Sequence, residues 1–133
     1  MVASDWSKVA DVPADLVRAG VAISGVFDLA PLIPTSINDL VRFDDQSARA
    51  ASPLSWPPPP KDRTLVAAVG GNESSEFLRQ SRAIAETWAR AGLKTECLVV
   101  PGTDHFTVVD ELTKPASALF ASVATLARQA YAD

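Results

Sequence analysis

The chain holds one histidine, His105, and the residues around it end a short apolar run at a Pro-Gly break: Val99-Val100-Pro101-Gly102-Thr103-Asp104-His105. Upstream, Val66-Ala67-Ala68-Val69-Gly70-Gly71-Asn72-Glu73 ends a second apolar run in the same way and delivers a carboxylate. A carboxylate beside an imidazole can do one well-defined job. It fixes the ring tautomer and stabilises the imidazolium that forms when the ring takes a proton from a nucleophilic hydroxyl. Glu73 ranks first as the acid and His105 is the base. Asp104 adjoins His105, but neighbouring side chains project in different directions. Glu76 suits the first turn of a helix, where it complements the dipole. Asp110 reads as a solvated or helix-entry residue, and Asp28 as a turn residue on the same rim.

The third member of such a set would be a serine in a G-x-S-x-G turn, upstream of both. No such turn occurs in the 133 residues. Ser24, in Ala22-Ile23-Ser24-Gly25-Val26, lacks the flanking glycines, and Ser74 and Ser75 suit a helix start. There is no H-G-G segment to form an oxyanion site. One histidine and one cysteine cannot supply a zinc site of ordinary type. Neither G-x-G-x-x-G nor a Walker sequence is present, so no metal or cofactor is expected.

These residues need a scaffold that brings strand ends together. Residues 21–24 and 65–69 are continuous apolar runs without alternation, as expected of strands covered on both faces. Residues 98–100 give a third. Between the second and third, Ser75 is a candidate N-cap for a helix whose Phe77, Ser81, Ile84, Trp88 and Ala91 form one buried stripe, closed by Gly92. After His105, Thr113 and Pro115 open a last helix. Leu119, Val123, Leu126 and Ala130 are its inner face, widened by Phe120, Ala127 and Tyr131. Residues 29–60 hold most of the ten prolines. They read as a stiff surface excursion with short helices near 38–40 and 45–51. Strands alternating with amphipathic helices imply an α/β fold with parallel strands in a three-layer α/β/α arrangement. Ligand sites in such sheets lie beyond the C-terminal strand ends, where Glu73 and His105 both fall.

At 133 residues, 47% hydrophobic and 21% charged, the chain suits a single domain with a real core, residues 1–133 with the 29–60 excursion inside it. A net charge of −4 with scattered basic residues argues against nucleic acid or an anionic membrane as partner. The N-terminal residues lack the basic and apolar pattern of a signal peptide. Cys97 is the only cysteine, so no internal disulfide can form, and a reducing cytoplasm is the expected location.

Taken in order, segments 20–29, 52–54, 70–81 and 101–106 resemble the C-terminal half of the α/β-hydrolase fold, in particular bacterial esterases similar to kynurenine formamidase (arylformamidase). The resemblance implies a Ser–Asp/Glu–His catalytic triad acting on aryl formamides or small esters. Glu73 then matches the acid and His105 the base, and the strands beginning at Val21, Leu65 and Thr95 are the last three of an eight-stranded sheet. The elbow, the oxyanion segment and the first five strands of that fold have no counterpart in these residues. The chain is therefore expected to be a truncated or split hydrolase that acts on a small acyl or formyl substrate only when completed by an N-terminal half. The alternative is a non-catalytic remnant that binds or dimerises through an open sheet edge.

Overall fold

A computed structural model describes residues 1–130. Three parallel strands form one sheet in the order β1 (Ala19–Ile23), β2 (Thr64–Gly70), β3 (Lys94–Val100). The register runs from Ala19 opposite Thr64 to Ile23 opposite Ala68, and from Thr64 opposite Lys94 to Gly70 opposite Val100. The central strand is buried from Leu65 to Gly70, because both its edges are paired and both its faces are covered.

The two faces take alternate residues of β2. Leu65 and Ala67 pack with Ile84, Trp88, Leu93 and Phe27 on one side. Ala68 packs with Val100, Val108 and Leu119 on the other. Helix α3 (Ser75–Arg90) supplies the first layer and helix α4 (Ala118–Ala130) the second, which makes the arrangement three-layered. The β1-to-β2 connection contains two short helices, α1 (Asn38–Val41) and α2 (Asp45–Ala51). The expected parallel α/β architecture and both short helices are therefore present.

Several boundaries differ from expectation. β3 begins at Lys94, ahead of the apolar run at 98–100 and one residue before the Thr95 start that the resemblance implies. It is an edge strand, and its first residues alternate between exposed and half-buried instead of forming an apolar run. Ser74, not Ser75, caps α3, accepting a hydrogen bond from the Phe77 N–H at 3.4 Å. Thr113 closes a 3-10 turn over Val108–Thr113, and α4 starts later. Its first turn is capped by Ser117, whose Oγ accepts from the Phe120 N–H at 3.0 Å.

The inner face of α4 is also narrower than its sequence pattern suggests. Leu119 and Leu126 are buried, Val123 is half-buried, and Phe120 and Ala127 are exposed. Among the described residues no strand lies beyond the outer edge of β1, and this side of the helix borders an open groove of about 750 Å³ between β1 and α4. Of the remaining inner positions, the Ala130 side chain and Tyr131 lie outside what the structure describes.

The layer that anchors α3 sets the height of the site at its N-terminus. Ile84 is fully buried between α3 and the sheet. Ile84→Ala is expected to cost about 2–5 kcal/mol by removing packed methylenes and leaving a cavity. The shift of the urea unfolding midpoint measures this, and a loss below about 1 kcal/mol would contradict the described packing.

Candidate active site at the strand ends

The parallel register delivers the ends of β1, β2 and β3 to one rim, and the loops that leave them are stitched together. The Gly71 N–H donates to the Val100 carbonyl at 2.8 Å and the Asn72 N–H to the Thr103 carbonyl at 2.9 Å. Gly70 has to be a glycine for this approach. A Cβ placed there would lie 2.6 Å from the Thr103 carbonyl oxygen. The loop after β3 turns through Gly102 at φ +74 and is locked by Asp104, whose Oδ1 accepts from the N–H groups of Phe106 and Thr107 at 3.0 and 2.9 Å. Asp104 therefore holds its own loop and leaves the imidazole to another acid.

That acid is Glu73. Its Oε2 lies 2.9 Å from His105 Nδ1. The Glu73 side chain is fully buried, whereas the His105 side chain is 46% exposed. The other carboxylate oxygen accepts two hydrogen bonds, from Ser24 Oγ at 2.5 Å and from the Gly70 N–H at 2.7 Å. Burial is the largest single influence on Glu73 and pushes its carboxyl upward. The hydrogen bonds from Ser24, Gly70 and His105, with the field of the imidazole, together outweigh it and hold the carboxyl below its ordinary value.

The imidazole is flanked by two aromatic rings. Phe77 lies at a centroid distance of 4.8 Å, tilted by 39°, and Phe106 meets the ring edge-on at 5.5 Å. Phe77 occupies the first turn of α3, where the helix projects past the strand end. It is only half-buried and leaves the core stripe to which its spacing assigned it. Phe106 is 82% exposed. With Nδ1 engaged by Glu73, Nε2 has no hydrogen-bond partner among the described residues, on a side chain that is nearly half exposed.

The remaining acids are occupied elsewhere. Glu76 takes two hydrogen bonds from Arg79, which pull its carboxyl down to about 2. Asp28 binds the same guanidinium at 3.0 Å. Asp110 sits in the exposed 3-10 turn after the histidine loop. Ser24 is the site residue that sequence reasoning missed. It touches the acid and not the base, on the carboxylate oxygen away from His105, so it does not stand where a nucleophile would. The rule that singled out Glu73, a polar residue just past a strand end, applies to Ser24 equally. Among the described residues no group of three His, Cys, Asp or Glu is placed to hold a metal ion. No described helix is long and apolar enough to cross a membrane.

No protein-family model matches the chain. It is similar to the kynurenine formamidase of Salmo salar, 31% identical over 120 residues that make up 84% of this chain and 39% of the relative. It is also similar to that of Danio rerio, 28% identical over 116 residues with the same coverage. Among solved structures it resembles a protein of Silicibacter sp. TM1040 described as a thioesterase, with 30% identity, a TM-score of 0.74, and coverage of 88% of this chain and 42% of that one. The chain thus spans about two fifths of the length of the curated relatives it matches, which agrees with the expected likeness to one half of an α/β-hydrolase. Its architecture is part of that fold, and over these residues it resembles kynurenine formamidases.

The depressed Glu73 carboxyl gives a signed pH dependence. A carboxyl lower in the folded than in the unfolded state contributes stability that is complete above its ordinary value of 4.5 and is lost as pH falls through the folded value. Unfolding free energy followed from pH 6 downward should therefore fall more steeply in the native sequence than in Glu73→Gln. The difference between the two curves isolates Glu73 from the other low-lying carboxyls. Parallel curves would mean that the carboxylate is not held in the ionised form.

Proposed function

We propose that Glu73 and His105 are the acid and base of a serine-hydrolase triad acting on small aryl formamides or esters, and that the nucleophile is supplied by a segment outside residues 1–133. The observation that carries this reading is the 2.9 Å contact between the buried Glu73 carboxylate and His105 Nδ1, which leaves Nε2 unengaged on a half-exposed side chain. A carboxylate on Nδ1 holds the proton there, which leaves the Nε2 lone pair to accept the proton of an attacking hydroxyl. The same nitrogen then returns that proton to the leaving group. Glu73 stabilises the imidazolium between the two transfers and stays ionised, in keeping with its low-lying carboxyl.

Support for the substrate class comes from the similarity to kynurenine formamidases and from the aromatic rings at the base. Support for an external nucleophile comes from the sequence, which contains no G-x-S-x-G turn, and from Ser24, which is committed to the acid. A cytoplasmic setting fits the single cysteine, which can form no internal disulfide.

A second reading, a module that binds through its sheet, has one observation in its favour: the outer edge of β1 is unpaired in the described sheet. The two readings separate in one experiment. The chain alone should leave p-nitrophenyl acetate unhydrolysed. Together with the polypeptide encoded upstream in the same frame, or with a co-purifying chain bearing H-G-G and G-x-S-x-G segments, it should hydrolyse the ester and take up a fluorophosphonate label. His105→Ala should then reduce kcat/KM by about a million-fold. Hydrolysis that survives His105→Ala would sink the triad assignment. A stable dimer that gains no activity from any elbow-bearing partner would favour the binding module.

A further inference from the structure

We propose that Ser24 is a positioning residue for the acid: its hydroxyl holds the Glu73 carboxylate in the rotamer and charge state that present Oε2 to His105. This rests on the reading of Glu73 and His105 as a catalytic pair, and adds to it a group from a third strand. The Glu73 side chain is fully buried, so its lone pairs depend on buried donors and not on bulk water. Oε1 has two donors, Ser24 Oγ at 2.5 Å and the Gly70 N–H at 2.7 Å, and Oε2 has His105. The Gly70 donor belongs to the backbone three residues before Glu73, within its own turn. Ser24 lies 49 residues away in sequence and is the only group that ties the acid to β1.

The backbone around Ser24 is arranged for this contact. Ser24 has φ +50, a left-handed conformation that side chains other than glycine adopt at a cost. Its N–H donates to the Ala68 carbonyl at 2.8 Å, continuing the β1–β2 ladder by one residue. Glycine would serve that conformation better, and Gly25 stands next to it. A serine stands there instead, and its hydroxyl donates to Glu73. The segment behind it is fastened from two sides. The Gln80 side chain accepts from the N–H groups of Phe27 and Asp28 at 2.6 and 2.9 Å, and the Leu54 N–H donates to the Phe27 carbonyl at 2.9 Å. Ser24 is thus a hydroxyl on a braced backbone, aimed at a buried charge.

The charged and titratable groups near the pair are few. His105 faces Glu73 from the β3 loop, and Asp104 acts on His105 from the same loop. From α3, Arg79 pairs with both Glu76 and Asp28. His105 is the only histidine, so its ring signals in a nitrogen-15 NMR spectrum have no overlap.

The experiment compares the full chain with Ser24→Gly, Ser24→Ala and Glu73→Gln. Carbon-13 NMR follows the Glu73 carboxyl against pH, and nitrogen-15 NMR follows the His105 Nδ1–H. Ser24→Gly removes the hydroxyl but eases the backbone, whereas Ser24→Ala removes the hydroxyl and keeps the backbone cost. Both are expected to move the Glu73 midpoint upward and to weaken the Nδ1–H signal by speeding its exchange with water. If Ser24→Gly matches the native chain while Ser24→Ala does not, the backbone conformation is responsible and the proposal is overturned. If both serine variants match the native chain while Glu73→Gln abolishes the Nδ1–H signal, the pair stands and Ser24 has no part in it. If Glu73→Gln itself leaves the signal unchanged, the pair fails and the Ser24 role falls with it.

Discussion

A carboxylate with no exposed surface sits at the centre of this site, and removing an ion from water is costly unless its lone pairs are met by donors. Glu73 meets that constraint with three donors drawn from three places: the end of β1, its own turn after β2, and the loop after β3. The register sets where these donors arrive: β2 and β3 end together at Gly70 opposite Val100, whereas β1 ends at Ile23 opposite Ala68, two residues earlier, and Ser24 just past it reaches the acid. The absence of a side chain at Gly70 lets the β3 loop close against β2, and Asp104 holds that loop by capping it internally. A displacement of any one strand end would leave a buried charge short of a partner. The chemistry of the pair and the stability of the rim thus rest on one set of bonds.

The helical layers serve the same end. α3 buries Ile84 and Trp88 against β2, and this fixes the height at which its first turn crosses the rim. That turn carries Phe77 to the face of the imidazole. A flanking ring on one side and the Glu73 carboxylate at Nδ1 leave the imidazole few orientations, and Nε2 is the nitrogen left for reaction. Further along the same helix, Gln80 is buried and uses its amide to hold the backbone at Phe27 and Asp28. The helix therefore positions the base directly and the acid through β1.

Much of this arrangement could be read from the residues because it follows strong periodic signals. The apolar run of β2, the three-and-four spacing of Ile84 and Trp88, and the Pro-Gly break before His105 each have one natural structural meaning. Glu73 and His105 followed from the rule about strand ends, and the structure brings them into contact. Other features carried weaker or misleading signals. Lys94, Thr95 and Glu96 are polar because β3 is an edge strand, and an expectation of continuous apolar residues passes over them. Phe77 fits the helical stripe by spacing, but spacing does not reveal that the helix outruns the sheet at its first turn. Ser24 was hidden by its neighbour. In an Ile-Ser-Gly sequence the glycine is the natural residue for a positive φ, yet here the serine takes it. Gly25 is needed for a different reason, since a Cβ there would lie 2.4 Å from the Phe27 ring.

The crossing from β1 to β2 spans residues 24–63 and is nearly twice as long as the α3 crossing that follows it. Closing a flexible loop costs about 0.6 kcal/mol more for each doubling of length, so the extra chain adds little to the entropic cost of bringing Ser24 to Glu73. What matters is the fastening at its near end. Gln80 holds Phe27 and Asp28, and the Ser52 hydroxyl accepts from the Leu29 N–H while donating to the Ala48 carbonyl. Between those points, residues 30–47, with α1 and the start of α2, lie outside the fastenings that hold the Ser24 segment. The fold thereby separates the length of the crossing from the placement of the hydroxyl that meets the acid.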